Sequence, residues 1–428
     1  MSTLVQAENK TPLGVTNPEI ELLLCCARTQ VDNTTAEEIK TLLQHNINWE
    51  YLVETAARHG VIPLLYTSLQ NTCPEAVPQD IFKHLQTYFD VNSLHNLFLT
   101  QELLKLLDLF KQHNIPVIPY KGPALAVSAY GNLSLRQFCD LDILVHERDL
   151  LKARDLLISS GYQPTFQQSI LNEKDHIAWI KYDNEYSFIS KNGNVPLDIH
   201  HNISHNNFKL LPIVFDDLWK RLEPVSLAGT TVLNFHPEDL FIILCVHGSK
   251  HMWERLGWIC DIAELLRNSQ DIDWAQLIDK ARIIGCERML LLGLFLAKTI
   301  LGASLPPIVN QRIIADPETQ SLGKQMYFRL FCENNSSTSG LSQEKFIFNF
   351  GIMERLENKI IHFRMMERLE DKIHLFFGAV WRRISVPIRL VITRAVKDRN
   401  FLPLPRSLYF LYYLIRPIRL CWKFYSRF

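Results

Sequence analysis

The stretch Ile115–Val145 restricts the fold more than any other part of the chain. A short apolar run, IPVIPY, is broken by Lys121-Gly122-Pro123, and a second run, DLDILV, carries acids at Asp140 and Asp142. Short apolar runs bounded by Gly and Pro read as strands, and side chains two apart on a strand share a face. Asp140 and Asp142 therefore point one way, while Leu141, Ile143 and Val145 point the other, toward a core. Pro123 suits the first turn of a helix, predicted over Ala124–Tyr130. A further helix is expected at Glu147–Gly161, with Gly161 marking its end. Tyr186–Ser190 and Val195–His200 flank Lys191-Asn-Gly-Asn194, and the Asn-Gly pair signals an antiparallel hairpin. In its second strand Leu197 and Ile199 face inward, which leaves Asp198 and His200 on the opposite face.

On both sides of this segment the apolar period becomes helical. Before it, Ile20, Leu23, Leu24 and Ala27 share a face, as do Ile39, Leu42 and Leu43. Residues 49–69 read as helix, turn at His59-Gly60, helix, and Leu94–His113 as a long helix with Leu97, Leu104, Leu107 and Phe110 inward. After Pro237, helical spacing returns in Glu238–Gly248, His251–Arg267, Trp274–Gly285 and Met289–Leu301. Clusters of Pro, Asn, Ser and Gly then predict a linker over 303–345. The expected class is α+β: a small mixed-sheet core flanked by N- and C-terminal helical regions. Its parts are an arm (1–17), a helical region (18–92), the α/β core (93–235), helices completing a cleft (236–302), the linker (303–345), and a charged helix with a basic amphipathic tail (346–428). MERLENKI (353–360) and MERLEDKI (366–373) match at seven of eight positions. Thirteen steps turn the copy about 220° round a helix, so the two cannot share a face, and a local duplication inside one charged helix is expected.

Composition removes several classes. Hydrophobic residues make up 47% and charged residues 21% of the 428, the range of a globular protein. No apolar run reaches the length needed to cross a bilayer as a helix. The opening MSTLVQAENKTPLG lacks a basic region followed by an apolar core, so no secretory signal is expected. Nine cysteines with no CxxC argue against a disulfide framework and a zinc ribbon, and predict a reduced, cytoplasmic setting. Basic and acidic residues balance at 45 each, but not evenly: from Ile373 onward eleven basic residues face one acid, Asp398. The tail RSLYFLYYLIRPIRLCWKFYSRF interleaves arginines with aromatic residues. That pattern suits an anionic membrane surface at the inner face of the membrane, or packing on this protein or a partner. It is too apolar for a simple nucleic-acid arm, so nucleic acid is not the expected partner.

The chemistry points to phosphate. Two close carboxylates repel, and setting both at the start of an apolar strand is sensible if a divalent cation neutralises them; oxygen ligands suit Mg²⁺ or Mn²⁺. Were Asp198 on a neighbouring strand, three carboxylates could surround two ions, as in-line displacement at phosphorus requires. Lys121-Gly122 stands between a strand and a helix start, where free N–H groups and a close backbone approach favour a phosphate. Lys121 and Arg136 add positive charge. His200 shares the face of Asp198 and is a candidate for substrate contact, while His201 and His205 are expected to be structural. His247 and His251 lie four apart with Lys250 between them, open to substrate contact, to a metal, or to plain packing against Trp253 and Trp258.

The runs KGPALAVSAYGNLSLRQFCDLDILV, PLDIHHNIS and HPEDLFIILCVHGSKHMWERLGWICDIAELL together resemble the uncharacterised bacterial nucleotidyltransferase family of the polymerase-beta superfamily, over roughly residues 20–300. The resemblance implies a nucleotidyltransferase core with helical additions and a nucleoside triphosphate as substrate. It matches Asp140 and Asp142 to the metal-binding pair, Asp198 to the third carboxylate, and Lys121-Gly122 to the Gly-Ser nucleotide-binding turn. The chain departs from that pattern in having Pro123 after Gly122 and a long interval from Gly122 to Asp140. The expected activity is Mg²⁺-dependent transfer of a nucleotidyl group to an acceptor hydroxyl. Asp140, Asp142 and Asp198 would serve as metal and catalytic residues, and Lys121, Gly122, Arg136, His200 and Lys250 would line the nucleotide site. The alternative is a non-catalytic module of the same fold, acting as a scaffold near envelope-polysaccharide assembly.

Overall fold

The computed structural model describes residues 17–165, 185–203, 215–269, 271–332, 357–368 and 372. The chain opens with four helices: α1 (Pro18–Cys26), α2 (Asn33–Leu42), α3 (Trp49–His59) and α4 (Ile62–Thr72). Their starts are set locally. The side chains of Asn17, Asp32 and Asn48 each accept a hydrogen bond from a backbone N–H three residues on, satisfying a donor the helix leaves open. Gly60, in the left-handed conformation at φ +71°, ends α3 at the predicted His59-Gly60 turn. The 34-residue α5 (Gln79–Gln112) leads into the sheet. It buries Leu99, Leu103, Leu106 and Phe110, whereas Leu97, expected to face inward, is 44% exposed. Leu97 and Leu99 are two positions apart, roughly 200° round the helix, so the two cannot face one core.

The core follows as β1 (Val117–Tyr120), α6 (Gly122–Tyr130), β2 (Leu141–Val145), α7 (Leu150–Ser159), β3 (Gln163–Pro164), β4 (Glu185–Ile189) and β5 (Pro196–His200). The five strands form one mixed sheet in the order β1-β2-β5-β4-β3, with β2 and β5 parallel and the other pairs antiparallel. The fold is α+β with helical flanks, as expected. The sheet divides two cores. Leu141, Ile143, Val145, Leu197 and Ile199 pack against Leu99, Leu103, Leu106 and Phe110 of α5 and Leu150 and Leu157 of α7. Ile118, Tyr120 and Leu144 on the other face join the larger, helical core. That second face also carries Asp142, Asp198 and His200, so the site lies where sheet and helices meet.

Beyond the sheet come α8 (Phe215–Lys220), a hairpin of β6 (Glu223–Leu227) and β7 (Thr230–Asn234) not read from the sequence, and α9 (Pro237–Lys250). Then follow α10 (Leu256–Asn268), α11 (Trp274–Ile284), α12 (Glu287–Leu301), α13 (Pro307–Ala315) and α14 (Pro317–Phe331). The predicted helix from His251 begins only at Leu256. Met252 and Trp253 hold positive φ, and the chain turns there to bury Trp253 completely. Gly248 makes room for that ring, since a Cβ on it would come within 2.6 Å of three ring carbons.

Residues 307–331, expected within a linker, instead form α13 and α14, with Val309, Ile313, Leu322, Met326 and Leu330 buried. The prolines that suggested a break stand at helix starts, where a missing N–H costs nothing. The repeat does not lie inside one helix either. Residues 357–365 are helical, the chain leaves the helix at Met366, and Met365 and Met366 are both buried. The arm before Asn17, His205 and the basic tail lie outside the described residues. Among the described residues no helix is long and apolar enough to cross a membrane.

His59, the last residue of α3, joins the N-terminal helices to α10: its Nδ1 accepts the Leu256 N–H at 3.3 Å. Burial, with the charge of Arg58, pushes its pKa down to about 4, against a weaker opposing effect of the Leu330 carbonyl. The unfolded chain, titrating near 6.5, binds the extra proton first, so this contribution is complete above that pH and is lost as pH falls toward 4. The shift corresponds to about 3 kcal/mol. Urea melts between pH 7 and pH 4 should show wild type losing about that much more stability than His59→Asn, whose Oδ1 can still accept from Leu256.

Candidate active site

The carboxylates are assembled by strand register. Asp142 of β2 is the direct partner of Asp198 on the parallel strand β5 and, on its other side, of Tyr120 on β1. Directly paired residues point to the same face of a sheet. Asp140 precedes β2 by one residue, two positions from Asp142. The separation in sequence between Asp142 and Asp198 thus closes to neighbouring strands, as the paired-acid reading required.

The two members of the Asp-Leu-Asp pair are shifted in opposite directions. Burial would raise the pKa of Asp142, but Lys121, a hydrogen bond from His200 and Arg136 outweigh it and hold the carboxyl below its ordinary value. Asp140 is pushed up by burial and by the negative charge of Asp142, despite Lys121 and Arg136. For Asp142 the neighbouring cations and the hydrogen bond outweigh burial, while for Asp140 burial and the Asp142 charge outweigh the same cations.

His200 Nε2 lies 2.7 Å from Asp142 Oδ1, and its ring meets the Tyr120 ring edge-on at 5.1 Å. As expected, His200 is on the face of Asp198. Its role here is to hold Asp142 in one orientation.

Lys121 forms the turn between β1 and α6 at φ +63°, ψ −133°, a conformation suited to glycine and strained for other residues by about 1–3 kcal/mol. Its Nζ is 3.0 Å from His247 Nδ1 and 4.4 Å from the centre of the Tyr120 ring. Gly122 follows at φ +45° and opens α6. Leu125 is the first residue there to donate back, to the Lys121 carbonyl at 3.1 Å. The preceding N–H groups of Gly122 and Ala124 have no intrahelical partner, and the positive end of the helix faces the turn.

Arg136 has a different geometry from that of a free phosphate clamp. Its Nε and Nη2 donate to the two carboxylate oxygens of Asp261 on α10, at 2.8 and 3.0 Å, and Tyr130 donates its hydroxyl to the same group at 2.7 Å. Burial would favour loss of the Arg136 proton; Asp261 reverses this and holds it. Its charge still acts on Asp140 and Asp142. Asp261 and Tyr130 were not singled out from the sequence: Asp261 lies in an apolar helical run that looks like core, and the only signal was an acid at a buried helical position.

Lys250 ends α9. Its carbonyl lies 3.2 Å from His362 Nε2; burial lowers the pKa of Lys121 and of His247, and the Lys250 charge adds to both. His247 and His251 do come together, 4.7 Å apart, and both meet Trp258 edge or tilt at 5.2 and 5.3 Å. Burial first, then Lys121 and His251, drives the His247 pKa well below its ordinary value, so its imidazole is neutral. Beside this group a cavity of about 50 Å³ is bordered by Arg136, Gln137, Arg255, Trp258 and Asp261. A larger pocket of about 270 Å³, near Asp217, Asp239 and Lys280, contains none of the predicted site residues.

A family model described as an uncharacterised nucleotidyltransferase matches residues 45–302. The chain belongs to that nucleotidyltransferase family. The match runs from just before α3 to the end of α12 and so includes the whole sheet, the turn at Lys121 and the helices that close the site. No curated protein matches the chain. The family's description names nucleotidyl transfer and goes no further.

The donor set fits what such transfer needs. Asp142 and Asp198 share one side of the sheet and Asp140 is near enough for Asp142 to act on it; Asp140 is raised by burial first and then by the Asp142 charge, and that repulsion is the kind a divalent cation relieves. Among the described residues no three acidic, histidine or cysteine side chains are already gathered as a metal cage.

Proposed function

We propose that this chain is a divalent-metal-dependent nucleotidyltransferase that uses a nucleoside triphosphate and an acceptor hydroxyl. The observation that carries the reading is the register pairing of Asp142 with Asp198, with Asp140 beside them and the Lys121 turn adjoining. Mg²⁺ or Mn²⁺, held by Asp140, Asp142 and Asp198, would offset phosphate charge and acidify the acceptor hydroxyl. Lys121 and the free N–H groups of α6 bind the β- and γ-phosphates. Arg136 contributes positive charge from behind its pair with Asp261. His200 keeps Asp142 aimed, and Asp198 takes the acceptor's proton. The acceptor oxygen bonds to the α-phosphorus as the bond to the bridging oxygen breaks, and pyrophosphate leaves. Lys250, at the end of α9, adds a cation to the rim. The setting is the cytoplasm, with the basic tail available to an anionic membrane surface or to packing on this protein or a partner.

A second reading, a non-catalytic scaffold near envelope-polysaccharide assembly, has one observation on its side: Asp142 Oδ1 is already occupied by His200. The full-length chain should be incubated with cell extract, Mg²⁺ and each of the four triphosphates labelled at the α-phosphate. The enzyme reading expects label on an extract component from at least one triphosphate, one pyrophosphate per label, and loss of both in chelator. No label from any of the four, together with no triphosphate binding by calorimetry, refutes it.

A further inference from the structure

Lys121 is an unusual residue for its place. Its backbone conformation suits glycine, so the turn would be easier to form without a side chain. The side chain is nonetheless held firmly. Its ammonium lies over the Tyr120 ring and meets His247 Nδ1, and among the described residues no carboxylate is within ion-pairing distance of it. This is notable because Asp142 and Asp140 are near enough to act on its charge. A buried ammonium beside carboxylates ordinarily joins one of them. Here its close partners are an aromatic face and a neutral imidazole, neither of which cancels its charge. Both are set by the fold. Tyr120 is register partner of Asp142, and His247 stands on the last turn of α9, across the cleft from the sheet.

We propose that His247, with the Tyr120 ring, is a positioning residue that holds the Lys121 ammonium away from the acidic pair as the binding group of a polyphosphate subsite at the start of α6. The inference deepens the nucleotidyl-transfer reading and rests on it for the natural ligand, the triphosphate of a nucleotide. An ammonium bonded to Asp142 would cancel one carboxylate and be lost to phosphate. Held by neutral partners, it keeps an N–H for an anion that also reaches the Gly122 and Ala124 N–H groups.

The test is calorimetric titration of the full-length chain with inorganic tripolyphosphate in the presence of chelator, so that no metal takes part. Wild type should bind. His247→Leu removes the acceptor and should weaken binding about tenfold or more. His247→Gln, whose acceptor reaches a different point, should lose as much and serves if the leucine variant does not fold. His247→Asn places an oxygen where Nδ1 stood and should stay within about threefold of wild type. Lys121→Met should abolish the His247 effect, so that Lys121→Met with His247→Leu binds no worse than Lys121→Met alone. Unchanged affinity in His247→Leu or His247→Gln, failure of asparagine to rescue, additive losses in the double variant, or no binding by wild type would each overturn the proposal. The labelled-transfer assay on the same preparations separates the two readings. Absent transfer with the expected tripolyphosphate pattern removes the enzyme and leaves the subsite; active transfer with unchanged affinity in His247→Leu removes only the subsite.

Discussion

Replacing Asp142 with Asn should lower metal-dependent nucleotidyl transfer by about a thousandfold or more and leave the fold intact. The side chains have the same shape, and the Asn oxygen can still accept from His200, which lies 2.7 Å from Asp142 Oδ1. What is removed is one negative charge at the centre of the acidic group. Charge stabilisation by a bound cation is worth several kcal/mol at a transferring phosphoryl group, and each 1.36 kcal/mol is a factor of about ten. The expected loss of rate follows from that, whereas stability should change little. The attraction of Lys121 and His200 that Asp142 loses is partly offset, because its charge no longer bears a burial cost and no longer adds to the burial that raises Asp140. Transfer rates and thermal melts on the same preparations check both halves. A rate within about tenfold of wild type, at unchanged melting temperature, would exclude Asp142 from holding the metal. Asp198→Asn should act in the same direction, since its Cα is the register partner of Asp142.

Much of this site was legible because strand alternation acts over two residues and needs no tertiary information. Asp140-Leu-Asp142 and Asp198-Ile-His200 each declare their shared face, and their apolar neighbours declare the other. The fold class followed from the change of period on either side. What the sequence could not supply was pairing across distance. The register that joins Asp142 to Asp198 depends on a sheet order in which β5 lies beside β2. The partner of Arg136 lies 125 residues away on a helix whose apolar pattern hid it. Prolines misled at 306–317, because the same residue that ends one element pre-sets φ for the next. The reach of Lys121 to His247, 126 residues on, could not be read from the spacing of His247 and His251, which informs only on their own helix.

The pair of Arg136 and Asp261 should be the most costly polar contact to break. Both side chains are buried, at 11% and 3% exposure, and the guanidinium engages the carboxylate through two nitrogens. Removing one partner strands the other charge away from water, at about 3–5 kcal/mol. Arg136→Met should sit at the upper end, because Asp261 then keeps only the Tyr130 hydroxyl. Asp261→Asn should cost less, since its oxygen can still accept from Arg136. The joint change to Arg136→Met and Asp261→Leu should cost less than Arg136→Met alone, because it leaves no buried charge unmatched. Denaturant melts of the four proteins give that order, and a double variant less stable than either single would contradict it. The contact also bears on the chemistry. The segment from Leu133 to Arg136 is held on one side by α5, where Asn96 donates to the Leu133 and Arg136 carbonyls at 2.6 and 2.7 Å and Asn92 donates to that of Ser134 at 3.0 Å. Arg136 and Asp261 hold it on the other side, to α10. Asp140 begins four residues later, so the carboxylate farthest from the regular part of β2 is fixed by this double anchorage rather than by the sheet. Arg136→Met should for that reason reduce transfer even in the fraction that remains folded.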